Sequence, residues 1–196
     1  KLMWLREHES ETYARIRHVL ISSKDYLIAQ LTGECVGDVA ACSTAGAMNI
    51  RNGQWDAELC EAAGIDMTML PHLHNPQDNI GAVTESAAQR TGFFAGTAVY
   101  AGIGDAGATT LASGVSHPCQ YNINIGTSGW IATVSPEPFT DKPGAANLAF
   151  GVEEGFVNAV PYLNAGDVHK WVTGVFADGD YAEAHQLIET SKPGSN

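Results

Sequence analysis

The sequence predicts an α/β chain, helix-rich in its first half and strand-rich in its second. Three observations carry that expectation. Apolar residues recur at helical spacing through most of the first ninety positions, and again beyond Ala165. Between Trp130 and Val160 they form short runs bounded by turn residues, as strands do. The change of texture passes through one stretch, Val99 to Trp130, where two apolar runs each empty into glycine beside polar groups. In the first, a buried strand from Val99 to Ala101 turns through Gly102 and Gly104 to set Asp105 at the start of a small-residue helix. Gly114 suits the left-handed residue that ends such a helix. In the second, a strand from Tyr121 to Ile125 turns at Gly126-Thr127-Ser128 and returns from Trp130 to Val134.

Charge narrows the partners. The 196 residues hold 10 Lys and Arg against 22 Asp and Glu, a net charge of -12. Nucleic acid and anionic membrane both need clustered cations, so neither is expected. An anion bound here would rest on backbone amides, helix dipoles or a metal. No apolar run approaches the roughly 18 residues of a membrane span, and no signal-peptide pattern opens the chain. Cys35, Cys42, Cys60 and Cys119 lack C-x-x-C spacing and read as reduced structural thiols of a cytoplasmic protein.

Taken in order, Leu2 and Leu5 begin a helix, and the chain opens inside that pattern as an internal piece of a longer protein would. Glu11 to Leu20 continues it. Lys24 to Thr32 is a helix with Tyr26, Leu27 and Leu31 on one side and Gly33 as its stop. Val36 to Ile50, small and polar, reads as a loop packed against backbone. Asp56 caps a short helix that Gly64 ends, and Pro71 to Pro76 is an irregular connector. Ile80 to Val83 is a short strand, and Glu85 to Thr91 a helix ended by Gly92. After the central stretch, Trp130 to Val134, Asn147 to Gly151 and Phe156 to Val160 form a meander turning at Glu153-Glu154-Gly155. Helices over Ala165 to Phe176 and Tyr181 to Thr190 close the order. The best boundary falls near Gly114 to Pro118, giving regions 1–114 and 115–196, one glycine turn on each.

These residues, in this order, resemble the FGGY carbohydrate kinases, the sugar-kinase branch of the actin-like (ribonuclease H-like) ATPase fold. Lys1-Leu2-x-Trp4-Leu5-x-Glu7-His8 is similar to the end of that family's first signature. Lys24-Asp25-Tyr26-Leu27, then Leu31-Thr32-Gly33-Glu34 and Asp38, is similar to its K-D-Y-L…L-T-G-E…D run. Trp55 and Leu70-Pro71 fall in family order, as do Gly102-Ile103-Gly104-Asp105, Gly126-Thr127-Ser128, and Ala165-Gly166 ahead of Trp171. The resemblance implies part of that fold: 1–114 as the second half of the sugar-binding lobe, 115–196 as the start of the ATP-binding lobe. The family's D-x-G-T phosphate loop and much of its adenosine pocket have no counterpart here, so this chain alone is expected to be inactive. The resemblance implies ATP and Mg2+ as cofactors, a sugar or polyol as substrate, and allows a homodimer of the full-length protein.

Phosphoryl transfer to an alcohol needs a base at the attacking hydroxyl and a cradle for the phosphate. Asp105 suits the base; from the local residues alone it reads equally as a helix cap. The resemblance favours the catalytic role and puts Gly104 with it at the substrate. Gly126, Thr127 and Ser128 read from composition as a tight hairpin; the resemblance makes them phosphate contacts, Thr127 foremost. It also assigns Gly166 to nucleotide approach and Lys170, one turn on, to a variable nucleotide contact. Ala106 departs from relatives with a polar residue there. Asp25 and Asp38 read as structural, Trp4 and Trp55 as core or interlobe packing, and His72, His74 and Asp78 as a solvated loop; no metal ligand is assigned. A ketopentose of the xylulose type is the first expectation, with gluconate and glycerol open. Against the kinase stand a non-catalytic nucleotide- or sugar-binding member of the same fold, which a replaced Asp105 would favour, and a structural module whose turns point apart.

Overall fold

Turn chemistry fixes most of the helix ends. The computed structural model describes residues 1–192 and Gly194. In chain order it forms α1 (Leu2–His8), α2 (Ser10–Ala14), α3 (Ser23–Thr32), β1 (Val36–Asp38), α4 (Val39–Cys42), β2 (Met48–Asn49), β3 (Gln54–Trp55) and α5 (Ala57–Ala63). Then follow β4 (His72–His74), β5 (Asn79–Ala82), α6 (Glu85–Thr91), β6 (Ala98–Tyr100) and α7 (Asp105–Ala112). Strands β7 (Tyr121–Ile125), β8 (Gly129–Ser135), β9 (Ala146–Ala149) and β10 (Phe156–Tyr162) precede α8 (Gly166–Phe176) and α9 (Tyr181–Thr190). Ser22 and Asp25 form a reciprocal capping box on α3, and Gly33 closes that helix in the left-handed region. Asp56 accepts from Leu59 N–H to start α5.

Several expectations are corrected. The helix expected over Glu11 to Leu20 stops at Ala14: Val19 N–H bonds instead to Met69 O (2.8 Å), and residues 16–20 form no helix. On α3 the outward side carries Tyr26 and Leu27; Asp25 and Ile28 are buried instead. The supposed loop from Val36 contains β1, α4 and a 3-10 turn at Ser43–Ala45, and the supposed connector contains β4, paired parallel to β1 with Val36 opposite His72. Strand β6, expected to be buried, leaves Tyr100 exposed on a two-stranded pair with β5. Trp4 is not core: it is exposed and stacks on His8, centroids 5.0 Å apart. Trp55 does pack inside, its indole N–H donating to Pro71 O at 2.8 Å.

The four-stranded sheet is antiparallel throughout, in order β7-β8-β10-β9. It is not the plain meander expected, since the β9–β10 hairpin inserts β10 against β8. Its main apolar cluster joins Ala132 and Val134 of β8, Val157 and Ala159 of β10, Leu148 and Phe150. Ile103, Ala106 and Leu111 pack on that cluster, so α7 rests on the sheet that also carries the Gly126–Ser128 turn. The two regions meet a second time. Ala149 N–H donates to Ser43 Oγ at 2.9 Å, and Ala149 packs with Val39, Cys42 and Met48. Arg51 pairs with Glu137 across the same junction. No helix among the described residues is long and apolar enough to cross a membrane.

Candidate functional site

Close packing of small residues delivers Asp105 to a cleft. Gly102 turns with φ +66°, a conformation glycine adopts without penalty. Gly104 then lies so near α4 that a Cβ would sit 3.2 Å from Ala41 Cβ. Gly104, not Asp105, is the cap residue of α7; Asp105 is its first helical residue. Its Oδ1 accepts from Ala106 N–H at 2.9 Å, and the residue is exposed. The cap reading therefore fails in detail, and one carboxylate oxygen stays free of protein donors among the described residues.

The cleft has a volume of about 590 Å³ and is lined by Asp105 and Gly104, by Ser22 and Lys24 at the start of α3, and by Ala41 and Thr44, among others. Three helix starts thus converge on one cavity, with Leu148 of β9 closing a side. Beneath it lies a charge cluster that the sequence reading treated only as local structure. Lys24 Nζ sits 2.7 Å from Asp25 Oδ1 and 2.8 Å from Asp38 Oδ2, and both aspartate side chains are fully buried. Burial alone would lower the Lys24 pKa, but hydrogen bonds and charge from Asp25 and Asp38 outweigh it and raise it above the ordinary lysine value. Asp38 Oδ1 also accepts from Ala40 and Ala41 N–H, both at 3.0 Å, capping α4. The Lys24-Asp25 pair was visible in sequence; its partnership with Asp38, thirteen positions on, needed the fold.

Close by, burial and the charges of Asp25 and Asp38 push the Cys42 thiol up to about 12. Cys119 is exposed. Alkylation at pH 8 followed by peptide mass mapping is expected to modify Cys119 and leave Cys42 untouched. Rapid labelling of Cys42 in the folded chain would contradict this geometry.

The second turn is built differently. Ile125 pairs with Gly129, and Gly126 N–H closes the loop on Ser128 O at 2.8 Å. The start of α8 is tied to this turn: Ala165 N–H donates to Thr127 O (3.0 Å) and Gly166 N–H to Gly126 O (2.8 Å). A Cβ on Gly166 would lie 2.5 Å from Gly126 O, so only glycine fits. Thr127 and Ser128 are exposed, and their amides and hydroxyls have no protein partner among the described residues. That donor set suits phosphate oxygens. Lys170 lies on α8, exposed and without an ion pair among the described residues. None of Gly126, Thr127, Ser128, Gly166 and Lys170 lines the Asp105 cleft. The structure ties Gly126 and Thr127 to Gly166 at the start of α8, on the same sheet against which α7 packs. His74 approaches Asp78 at 3.5 Å, and no group of three metal-ligating side chains occurs among the described residues.

Residues 1–112 match the profile of the N-terminal domain of the FGGY family of carbohydrate kinases. The chain belongs to that family. Across its whole length this FGGY chain is 32% identical to a Pasteurella multocida protein named "Probable L-xylulose kinase", covering 41% of that protein. It is 33% identical to the autoinducer-2 kinase of Photorhabdus laumondii over 96% of the chain and 35% of that relative. The xylulose kinase structure from Rhodospirillum rubrum superposes with a TM-score of 0.86 at 28% identity, over 96% of this chain and 38% of that one. The fold is therefore the actin-like one of the FGGY kinases, in part. The chain spans about two fifths of the length of the relatives it matches.

Proposed function

We propose that this chain is the central portion of an ATP-dependent sugar kinase, residues 1–114 completing a sugar-binding lobe and 115–196 beginning an ATP-binding lobe. The observation that carries the reading is Asp105, a carboxylate at a helix start, exposed on the wall of a cleft large enough for a monosaccharide. ATP, when bound, supplies the phosphoryl group. Asp105 would accept or orient the proton of the attacking hydroxyl through its free oxygen, with Gly104 letting substrate come close. Thr127 and Ser128 would hold phosphate oxygens by amides and hydroxyls, Gly166 would keep α8 seated behind the turn, and Lys170 would contact nucleotide. Because the turn does not line the cleft, transfer would require closure of the regions on each other and groups from beyond this chain. Mg2+, when bound, would be held by phosphates of ATP with one or two protein carboxylates, and would help spread the charge of the transferring phosphate.

A xylulose-like ketopentose is the proposed substrate, supported by the names of the relatives; gluconate, glycerol and related polyols are the neighbouring options. A cytoplasmic setting is proposed on the four free cysteines. The test is a coupled ADP-release assay of the complete polypeptide containing these residues, over a panel of pentuloses, gluconate and glycerol. Sugar-dependent ADP release is expected for a ketopentose and not from residues 1–196 alone. Nucleotide binding without turnover on any sugar would instead support a binding-only member of the family.

A further inference from the structure

We propose that Lys24 is a positioning residue for Asp105: it holds the Gly102–Gly104 turn from two sides through one buried ion cluster. The inference rests on the kinase reading for its consequence in turnover but not for its structural content. On the first side, the Lys24 stem lies under the turn, where a Cβ on Gly102 would be 3.6 Å from Lys24 Cδ. On the second side, Lys24 Nζ fixes Asp38, Asp38 caps α4 at Ala40 and Ala41, and Ala41 is the surface on which Gly104 rests. Both paths end on the three residues before Asp105. Lys24, Ala41, Gly104 and Asp105 also share the cleft wall, so a shift in this cluster is transmitted to the cavity itself.

The charge balance explains why one lysine has such reach. Asp25 and Asp38 are fully buried and share a single ammonium group. Backbone donors take up part of the remaining charge: Ser22 N–H at Asp25 Oδ2, Ala40 and Ala41 N–H at Asp38 Oδ1. Among the described residues Asp38 Oδ2 is met by Lys24 Nζ alone, 2.8 Å away. Removing the ammonium leaves two carboxylates buried without a counter-charge, which the local structure relieves by opening.

Two variants separate positioning from bulk stability. Lys24→Met leaves both carboxylates uncompensated, while Lys24→Met with Asp25→Asn restores the cluster's net charge but not the tie to Asp38. In the complete polypeptide, the double variant is expected to melt above Lys24→Met, since one buried carboxylate rather than two lacks a counter-charge, yet lose about 10²-fold in kcat, the scale of an ångström-sized misplacement, with KM for ATP within about twofold. In the 196-residue chain, amide exchange at residues 102–107 is expected to speed up in both variants while Tyr181–Thr190 is unchanged. Wild-type kcat with unchanged exchange at 102–107 in the double variant overturns the proposal. If Asp105→Asn retains turnover, the kinase role of Asp105 fails, and the exchange measurement still decides the role of Lys24. Should Lys24→Met not fold, the double variant gives the answer, and Lys24→Arg, which keeps the charge, is expected to preserve exchange at the turn.

Discussion

Replacing Asp105 by Asn in the complete polypeptide is expected to lower kcat for sugar phosphorylation by about 10²–10⁴-fold, the span typical of a lost general base. The fold should survive. Asparagine keeps an oxygen that can accept from Ala106 N–H, as Asp105 Oδ1 does now at 2.9 Å. The residue is exposed at the mouth of the cleft, and its neighbours Ile103 and Ala106 hold α7 to the sheet by apolar contact that the change does not touch. What asparagine removes is the second carboxylate oxygen and the negative charge, which are the groups the proposed step uses. Melting temperature and KM for ATP should therefore stay near wild-type values, because the turn at Gly126–Ser128 lies outside this cleft. A coupled ADP-release assay decides the matter. Turnover within a few fold of wild type would assign the base elsewhere and leave Asp105 as a residue that only begins a helix.

The contrast between what the residues announced and what they concealed has physical causes. Helix ends were legible because caps are local: Asp56, and glycines at 33, 64, 92 and 114, act within a few positions of themselves. The hairpin at Gly126–Ser128 was legible for the same reason. Strands β1 and β4 were missed because each has three residues and each exists only by pairing with the other, 36 positions away. The outward side of α3 misled in another way. Tyr26, Leu27 and Leu31 mark one apolar side, whereas the helix buries Asp25, a charge that is tolerated inside because Lys24 and Ser22 N–H meet it. On α8 the same discrepancy recurs: Val168, Trp171 and Val175 keep helical spacing, yet Trp171 is 64% exposed while Thr173 is buried. Of the candidate site, the identities of Asp105 and Thr127 came from motif order. That Thr127 does not line the Asp105 cleft, and that the Lys24 cluster lies beneath it, are tertiary facts.

The other large effect is expected at Gly166. A Cβ there would stand 2.5 Å from Gly126 O and 3.3 Å from Gly126 C, and both atoms are backbone, so no side chain can swing aside. Gly166→Ala must push α8 away from the turn or deform the turn. Either response weakens Gly166 N–H to Gly126 O and Ala165 N–H to Thr127 O, the two bonds that fix where Thr127 and Ser128 present their free amides. The expected result in the complete polypeptide is a KM for ATP raised by about tenfold or more, since displaced donors no longer meet the phosphate. Gly174, in the same helix, supplies the control. Nothing lies within 4 Å of a Cβ built there, and its φ is not in the left-handed region. Gly174→Ala should thus stabilise the protein by about 0.5–1 kcal/mol through helix propensity and leave KM alone. The pair separates a glycine required by contact from one that the helix merely tolerates. Initial rates over a range of ATP concentrations, beside thermal melts, read both quantities, and isothermal titration with a non-hydrolysable ATP analogue gives the matching Kd. If Gly166→Ala binds nucleotide as the wild type does, the turn is a structural hairpin, and the phosphate is held by groups outside it.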